Sequence, residues 1–116
     1  MRHHDKNRRL GRKTNTRKAL LKSLACFLIR DEKIVTTEAK AKELRPVIER
    51  LITSSREDTV AKRRFVKAKI GSNDMTAKLF SEISPKYVKR EGGYTRIIKL
   101  PLRNSDASKM AQIEFV

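Results

Sequence analysis

The opening stretch, MRHHDKNRRLGRKTNTRK, sets the strongest limit on how this chain can fold. It carries Arg2, Lys6, Arg8, Arg9, Arg12, Lys13, Arg17 and Lys18 against a single acid, Asp5, and its only sizeable aliphatic after Met1 is Leu10. Such a segment cannot bury enough apolar surface to offset the entropy of ordering it, so alone it is expected to be extended. A dense array of anions would order it. The division expected is a basic arm over residues 1–14 and one domain over residues 15–116.

Charge along the remainder is uneven. The whole chain has 116 residues and a formal net charge of +16. Residues 1–30 hold ten Lys and Arg against one acid, and residues 59–70 hold five bases and no acid, whereas residues 37–58 balance at five against five. This is a cationic footprint with a neutral backing, and it predicts attraction to polyanions. No run approaches the roughly 18 apolar residues a membrane span needs, and the N-terminus lacks the apolar stretch of a secretion signal. Cys26 is the only cysteine, which excludes an internal disulfide and a cysteine-rich zinc site and fits a reducing, cytoplasmic setting.

The elements follow from periodicity. Thr14-Asn15-Thr16 offers caps for a helix to about Arg30, with Leu20, Leu21, Leu24, Phe27 and Leu28 on its apolar face. Lys18, Lys22, Cys26 and Arg30 fall four apart on another face, which is either a solvated surface or a continuation of the basic arm. Lys33 to Thr36 is β-branched and reads as a short strand. A second helix capped by Thr36 or Thr37 has the stripe Leu44, Val47, Ile48, Leu51 and Ile52. Glu38–Lys42 and Arg45–Glu49 are spaced to pair along its side, and Pro46 is expected to kink it. A third helix, about 59–69, places Val60, Ala61, Phe65 and Ala68 inward. Lys62, Arg63, Arg64, Lys67 and Lys69 cover the rest, and Gly71 terminates it. Met75, Leu79 and Ile83 mark a fourth helix ended by Pro85, and Gly92-Gly93 forms a joint with room for close backbone approach. A hairpin closes the chain: Tyr94 to Leu102 and Lys109 to Val116 are its strands. Ala111, Ile113 and Phe115 share one face, with Ile98, Leu100 and Leu102 facing them. It is expected to pair with strand 33–36, giving an α+β domain of about four helices on one face of a small, mainly antiparallel sheet.

Catalysis finds little support. The only histidines, His3 and His4, lie in the arm, Cys26 lies mid-helix, and the carboxylate neighbours Asp31-Glu32 and Glu57-Asp58 fall near turns. No nucleophile, base and orienting group share a constellation, and Gly92-Gly93 lacks the spacing of a phosphate-cradling loop. Histidine as third residue can wrap a square-planar copper or nickel ion together with backbone nitrogens. Adjacent cations disfavour that, and His3 and His4 read better as RNA or solvent contacts. The chain has no Trp and few aromatics. Phe27, Phe65, Phe80 and Phe115 fit core positions, which leaves Tyr87 and Tyr94 as the possible exposed rings. Recognition is therefore expected through phosphates, ribose hydroxyls and shape rather than through stacked bases.

Several runs also match a known family in order and spacing. These are Met1-Arg2-His3, then Arg8, Leu10 and Arg12, and Arg17-Lys18-Ala19. They continue with Thr36-Thr37, Ala39-Lys40-Ala41-Lys42-Glu43-Leu44-Arg45 and Leu51-Ile52-Thr53, and end with Gly92-Gly93-Tyr94-Thr95-Arg96-Ile97. Across essentially its whole length the chain resembles the bacterial large-subunit ribosomal protein seventeen family. The resemblance implies a non-enzymatic structural component of the large ribosomal subunit that needs no metal or other cofactor. Its partners would be the large ribosomal RNA near the peptide exit side and neighbouring large-subunit proteins, with no membrane and no small-molecule substrate. RNA contacts would fall on Arg2, His3, Arg8, Arg12, Arg17 and Lys18, and on Tyr94 and Arg96. The charge pattern adds His4, Lys6, Arg9, Lys13, Lys22, Arg30, Lys62, Arg63, Lys67 and Lys69. Two readings of other classes compete. An architectural DNA-binding protein would present a base-reading helix or a dimer stripe; the third helix is basic enough but lacks Asn or Gln for adenine. A secreted polyanion-binding factor lacks its signal and disulfides.

Overall fold

Helix starts and stops are written in side chains that reach the backbone. In the computed structural model, which describes residues 13–116, the first helix, α1, spans Thr14–Asp31. Its N-cap is Lys13 rather than a residue of the Thr14–Thr16 cluster, and no side chain closes that end. Strand β1, Lys33–Thr37, follows directly, and Thr37 then caps α2, Glu38–Ser55, by accepting from the Lys40 N–H. Pro46 sits inside α2 without dividing it: the buried series Ala41, Leu44, Ile48, Leu51 and Ile52 runs on both sides of the ring. Glu38–Lys42 and Arg45–Glu49 pair as their spacing suggests.

Thr59 caps α3, Val60–Ile70, and Gly71 ends it in the left-handed region at φ 78°, its N–H donating to the Lys67 carbonyl. A Cβ at Gly71 would stand 3.1 Å from the Lys22 ammonium, the mobile tip of a long side chain, so backbone strain is the main cost of substitution. Gly71→Ala should lower stability by about 1 kcal/mol, a fall in melting temperature of roughly 4–8 °C; an unchanged melting curve would contradict the left-handed cap.

The last helix, α4, starts at Ser72, whose hydroxyl accepts from the Met75 N–H, and spans Asn73–Lys78. It then widens into a π-helical turn, Leu79–Ile83, and tightens into a 3₁₀ turn, Ser84–Tyr87. Pro85 therefore does not end the helical path, because it falls in the first turn of the 3₁₀ segment, where its missing N–H costs nothing. The path carries Leu79, Phe80, Ile83 and Tyr87 into the core. Gly92 and Gly93 have positive φ, 110° and 64°. A Cβ would meet nothing at Gly92 and only the Arg90 guanidinium, at 4.0 Å, at Gly93, so a sharp change of direction, not a close approach, calls for glycine there.

Strands β2, Thr95–Leu100, and β3, Met110–Phe115, form the expected hairpin. The sheet order is β1-β3-β2, antiparallel throughout. In register, Thr95 faces Phe115 and Ile97 faces Ile113, so β2 turns Thr95 and Ile97 inward. The sequence reading had Ile98, Leu100 and Leu102 facing the core; Ile98 and Leu102 are exposed instead. The Ile97-Ile98 pair is compatible with either phase, and a one-residue slip reverses the whole strand. The Glu49 carboxylate accepts from both the N–H (3.3 Å) and the hydroxyl (2.7 Å) of Thr95, which fixes the phase against α2.

Tyr94 is fully buried and Tyr87 nearly so, their ring centroids 5.2 Å apart. The Tyr94 hydroxyl donates to the Arg90 carbonyl at 3.0 Å and meets the Thr53 hydroxyl at 3.1 Å. The Tyr87 hydroxyl donates to the Val116 carbonyl at 2.7 Å, and burial pushes its pKa up. The rings expected at the surface are thus core residues.

Candidate nucleic-acid interface

Where the cations meet is decided by how three helices turn. The core side of α1 is Ala25, Leu28 and Ile29, with Leu21 and Leu24 partly covered, so Phe27 is swung out to 44% exposure. Helix α3 differs more. Its inward residues are Val66 and Ile70, while Val60 and Phe65 are exposed, Phe65 by 45%, and so are Ala61 and Ala68. At 100° per residue this is close to half a revolution from the expected face. Arg63 shows why. Its guanidinium stacks 4.9 Å from the Phe80 ring and grips the Asp58 carboxylate at 2.6 and 2.9 Å, which fastens that side of α3 to the body. The same contact depresses the Asp58 pKa. One of the five α3 cations therefore has an acidic partner just upstream of the helix.

The rotation opens a cleft of about 450 Å³ between α1, α2 and α3. Leu21, Ala25, Val47 and Leu51 form its floor, Phe65 and Ala68 one wall, and Lys18, Lys22, Arg50 and Lys69 its rim. No acidic residue lines it among the described residues. Lys18 and Lys22 come from the i,i+4 stripe of α1 and Lys69 from the last turn of α3, so two segments more than forty residues apart in the chain converge on one side. The Lys69 ammonium lies 5.7 Å from the Phe65 ring centroid. Cys26, the remaining member of the stripe, is partly buried and its thiol donates to the Ile70 carbonyl at 3.5 Å. Burial raises its pKa, which keeps it a thiol rather than a nucleophile. Among the described residues no group of His, Cys, Asp and Glu could hold a metal ion, and no helix is long and apolar enough to cross a membrane.

The family model described as Ribosomal protein L17 matches residues 20–116, most of the chain. The chain belongs to the ribosomal protein L17 family. A relative from Fusobacterium nucleatum, named large ribosomal subunit protein bL17, is 47% identical over the full length of both chains. Those of the same name from Thermomicrobium roseum and Nautilia profundicola are 47% and 49% identical over all of this chain and 99% and 98% of their own. L17 proteins are structural ribosomal components and not enzymes.

Against that family background the expected contact residues separate into groups. Arg2, His3, His4, Lys6, Arg8, Arg9 and Arg12 lie outside the described residues. Lys13, Lys18, Lys22, Lys67 and Lys69 are exposed on or beside the helical face, and Arg17 and Lys62 are half-buried. Arg30 is bound by Asp31 through two hydrogen bonds of 3.0 Å, and Arg96 lies across the outer sheet surface 3.5 Å from Glu114. These two cations are locally compensated and do not line the cleft. Tyr94 is enclosed and cannot stack on a base. The sequence reading missed Arg50, hidden in the charge-balanced α2, and the exposure of Phe27 and Phe65. A usable signal was present: Lys69 follows Phe65 by one turn, a spacing that puts an ammonium over an outward ring.

Proposed function

We propose that this chain is a structural constituent of the large ribosomal subunit that binds large-subunit RNA through its basic arm and the cationic side of α1 and α3. The observation that carries this reading is the acid-free cationic rim of Lys18, Lys22, Arg50 and Lys69 in a member of a ribosomal-protein family. In the sequence the bases of residues 1–14 run directly into α1, which supplies Lys18 and Lys22 to this rim. Binding works by neutralising phosphates and fitting the shape of folded RNA, and the arm orders as it binds. Neighbouring large-subunit proteins are its other partners, and its place is the cytoplasmic ribosome.

Sedimentation tests the reading. Tagged protein from lysate should travel with the large subunit through a sucrose gradient at moderate salt and remain there at salt that strips loosely bound proteins. Protein that stays at the top of the gradient, or follows the chromosome, would sink the proposal. With purified large-subunit RNA, neutralising about eight phosphates gives a log–log salt slope near −6 to −7. A slope near zero would show that the cations are mere solvated surface.

A further inference from the structure

The cationic cleft has a feature that phosphate neutralisation does not use. A surface that only counters backbone charge needs lysines and arginines and gains nothing from a half-exposed ring above an apolar floor. Phe65 stands at the wall of the cleft at 45% exposure, beside Ala68 and over Leu21, Val47 and Leu51. Leaving that ring uncovered forgoes the stabilisation its burial would bring. Planar π-faces, apolar side walls and cations placed at the rim are together what an unstacked nucleotide requires, because its base seeks a ring and its phosphate a cation.

Building on the RNA-binding reading, we infer that the cleft between α1, α2 and α3 takes one unpaired nucleotide of the bound RNA, its base stacked on Phe65 and its phosphate held by Lys22 and Lys69. Charge complementarity selects this occupant. An acid-free rim of four cations repels the chain's own arm, which has eight bases and one acid over residues 1–18, and it equally repels a second copy of this basic protein. An acidic peptide would satisfy the rim but would leave the ring without a planar partner. About 450 Å³ falls within the range of small-ligand sites. Lys69 already attends the ring at 5.7 Å, so a base settling on Phe65 brings its phosphate close to that ammonium. The Lys22 side chain ends near Gly71, just past the last turn of α3 that carries Lys69, so the two ammonium groups reach the same end of the cleft.

The test uses the full chain with deproteinised bacterial large-subunit RNA, and heparin as a polyanion without bases. Phe65→Ala should weaken RNA binding about tenfold, within the range of a single stacked base, while leaving the log–log salt slope and the heparin affinity unchanged. Phe65→Trp should restore RNA affinity. Lys22→Gln and Lys69→Gln should instead each reduce the slope by about one, for both polyanions. Ultraviolet cross-linking of the complex should attach a nucleotide to the peptide containing Phe65. RNA affinity of Phe65→Ala within twofold of the parent overturns the inference and leaves the RNA-binding reading standing. Equal losses for RNA and heparin overturn it too. A parent chain that fails to bind the RNA at moderate salt overturns both. Because Phe65 faces away from the core residues Val66 and Ile70, the melting temperature of each variant checks that the domain is intact.

Discussion

Deleting residues 2–13 should leave the melting transition of the domain almost unchanged and remove most of its affinity for large-subunit RNA. The expectation about folding rests on the start of α1. The Arg17 N–H donates to the Lys13 carbonyl at 2.8 Å, and the Lys13 side chain makes no capping hydrogen bond. In the deleted chain the initiator methionine precedes Thr14 and supplies the same carbonyl, and the core begins a full turn or more further on, at Leu21 and Ala25. The expectation about affinity rests on charge. The deleted stretch holds six of the chain's Lys and Arg residues and one acid. Removing six phosphate contacts should cost roughly a hundredfold or more in affinity at physiological salt and flatten the log–log slope by about 4 to 5. Filter binding across a salt series, paired with a thermal melt, reads both. Unchanged binding would place the RNA interface wholly on the helices. A lost melting transition would mean that the arm belongs to the fold.

Tyr94→Ala should have the largest effect on the domain itself, a loss of about 3–5 kcal/mol. Against a typical total of about 5–15 kcal/mol this leaves the protein marginal at best. Three things are lost together. The ring is fully enclosed and tilted against Tyr87 at 5.2 Å; its hydroxyl satisfies the Arg90 carbonyl; and it meets the Thr53 hydroxyl on α2. Tyr94→Phe separates these contributions. It keeps the packing and removes only the hydroxyl's hydrogen bonds; the Arg90 carbonyl still accepts from the Arg56 guanidinium and Thr53 is exposed, so the cost should be about 0.5–1.5 kcal/mol. Chemical denaturation of the two variants should rank them in that order, and near-parent stability for Tyr94→Ala would mean that the ring is not a core element. The same measurement bears on function, because a residue whose loss unfolds the domain will remove the helical share of RNA binding without ever touching RNA.

Much of this architecture was legible in the residues because several local signals agreed. Thr37, Thr59 and Gly71 punctuate the helices as their chemistry dictates, and the alternation of Ala111, Ile113 and Phe115 identifies the inner side of β3. The stripe of α2 was readable through Pro46 because its spacing of three and four continues on both sides of the ring. Where signals were short, tertiary contacts decided. Helix α3 offers two apolar sets, Val60–Ala61–Phe65–Ala68 and Val66–Ile70, and the grip of Arg63 on Asp58 and Phe80 selects the second. Strand β2 has a doublet, Ile97-Ile98, whose phase depends on Glu49, forty-six residues upstream. The same limitation governed the cationic surface. Charge counts located the bases of α1 and α3, but Arg50 and Phe65 joined them only through the packing of three helices. Large rings are usually assigned to the interior because burying them is worth most. Phe65 and Tyr94 exchange the expected roles: Tyr94 is enclosed with its hydroxyl bonded to Thr53 and the Arg90 carbonyl, while Phe65 stands at the surface.

The sheet order β1-β3-β2 means that the strand in the middle is the last of the three to be made. Neither Lys33–Thr37 nor Thr95–Leu100 has a neighbour until residues 110–115 emerge, and the carbonyl of Glu32 waits for the N–H of Phe115. The polycation at the front of the chain is meanwhile complete almost from the start of synthesis. If the arm binds RNA as proposed, a growing polypeptide of this design could adhere to it long before its domain can close, because long-range pairing comes late in folding. Its attachment and its architecture are separated in time, the first available to a nascent fragment and the second reserved for a chain translated past Phe115.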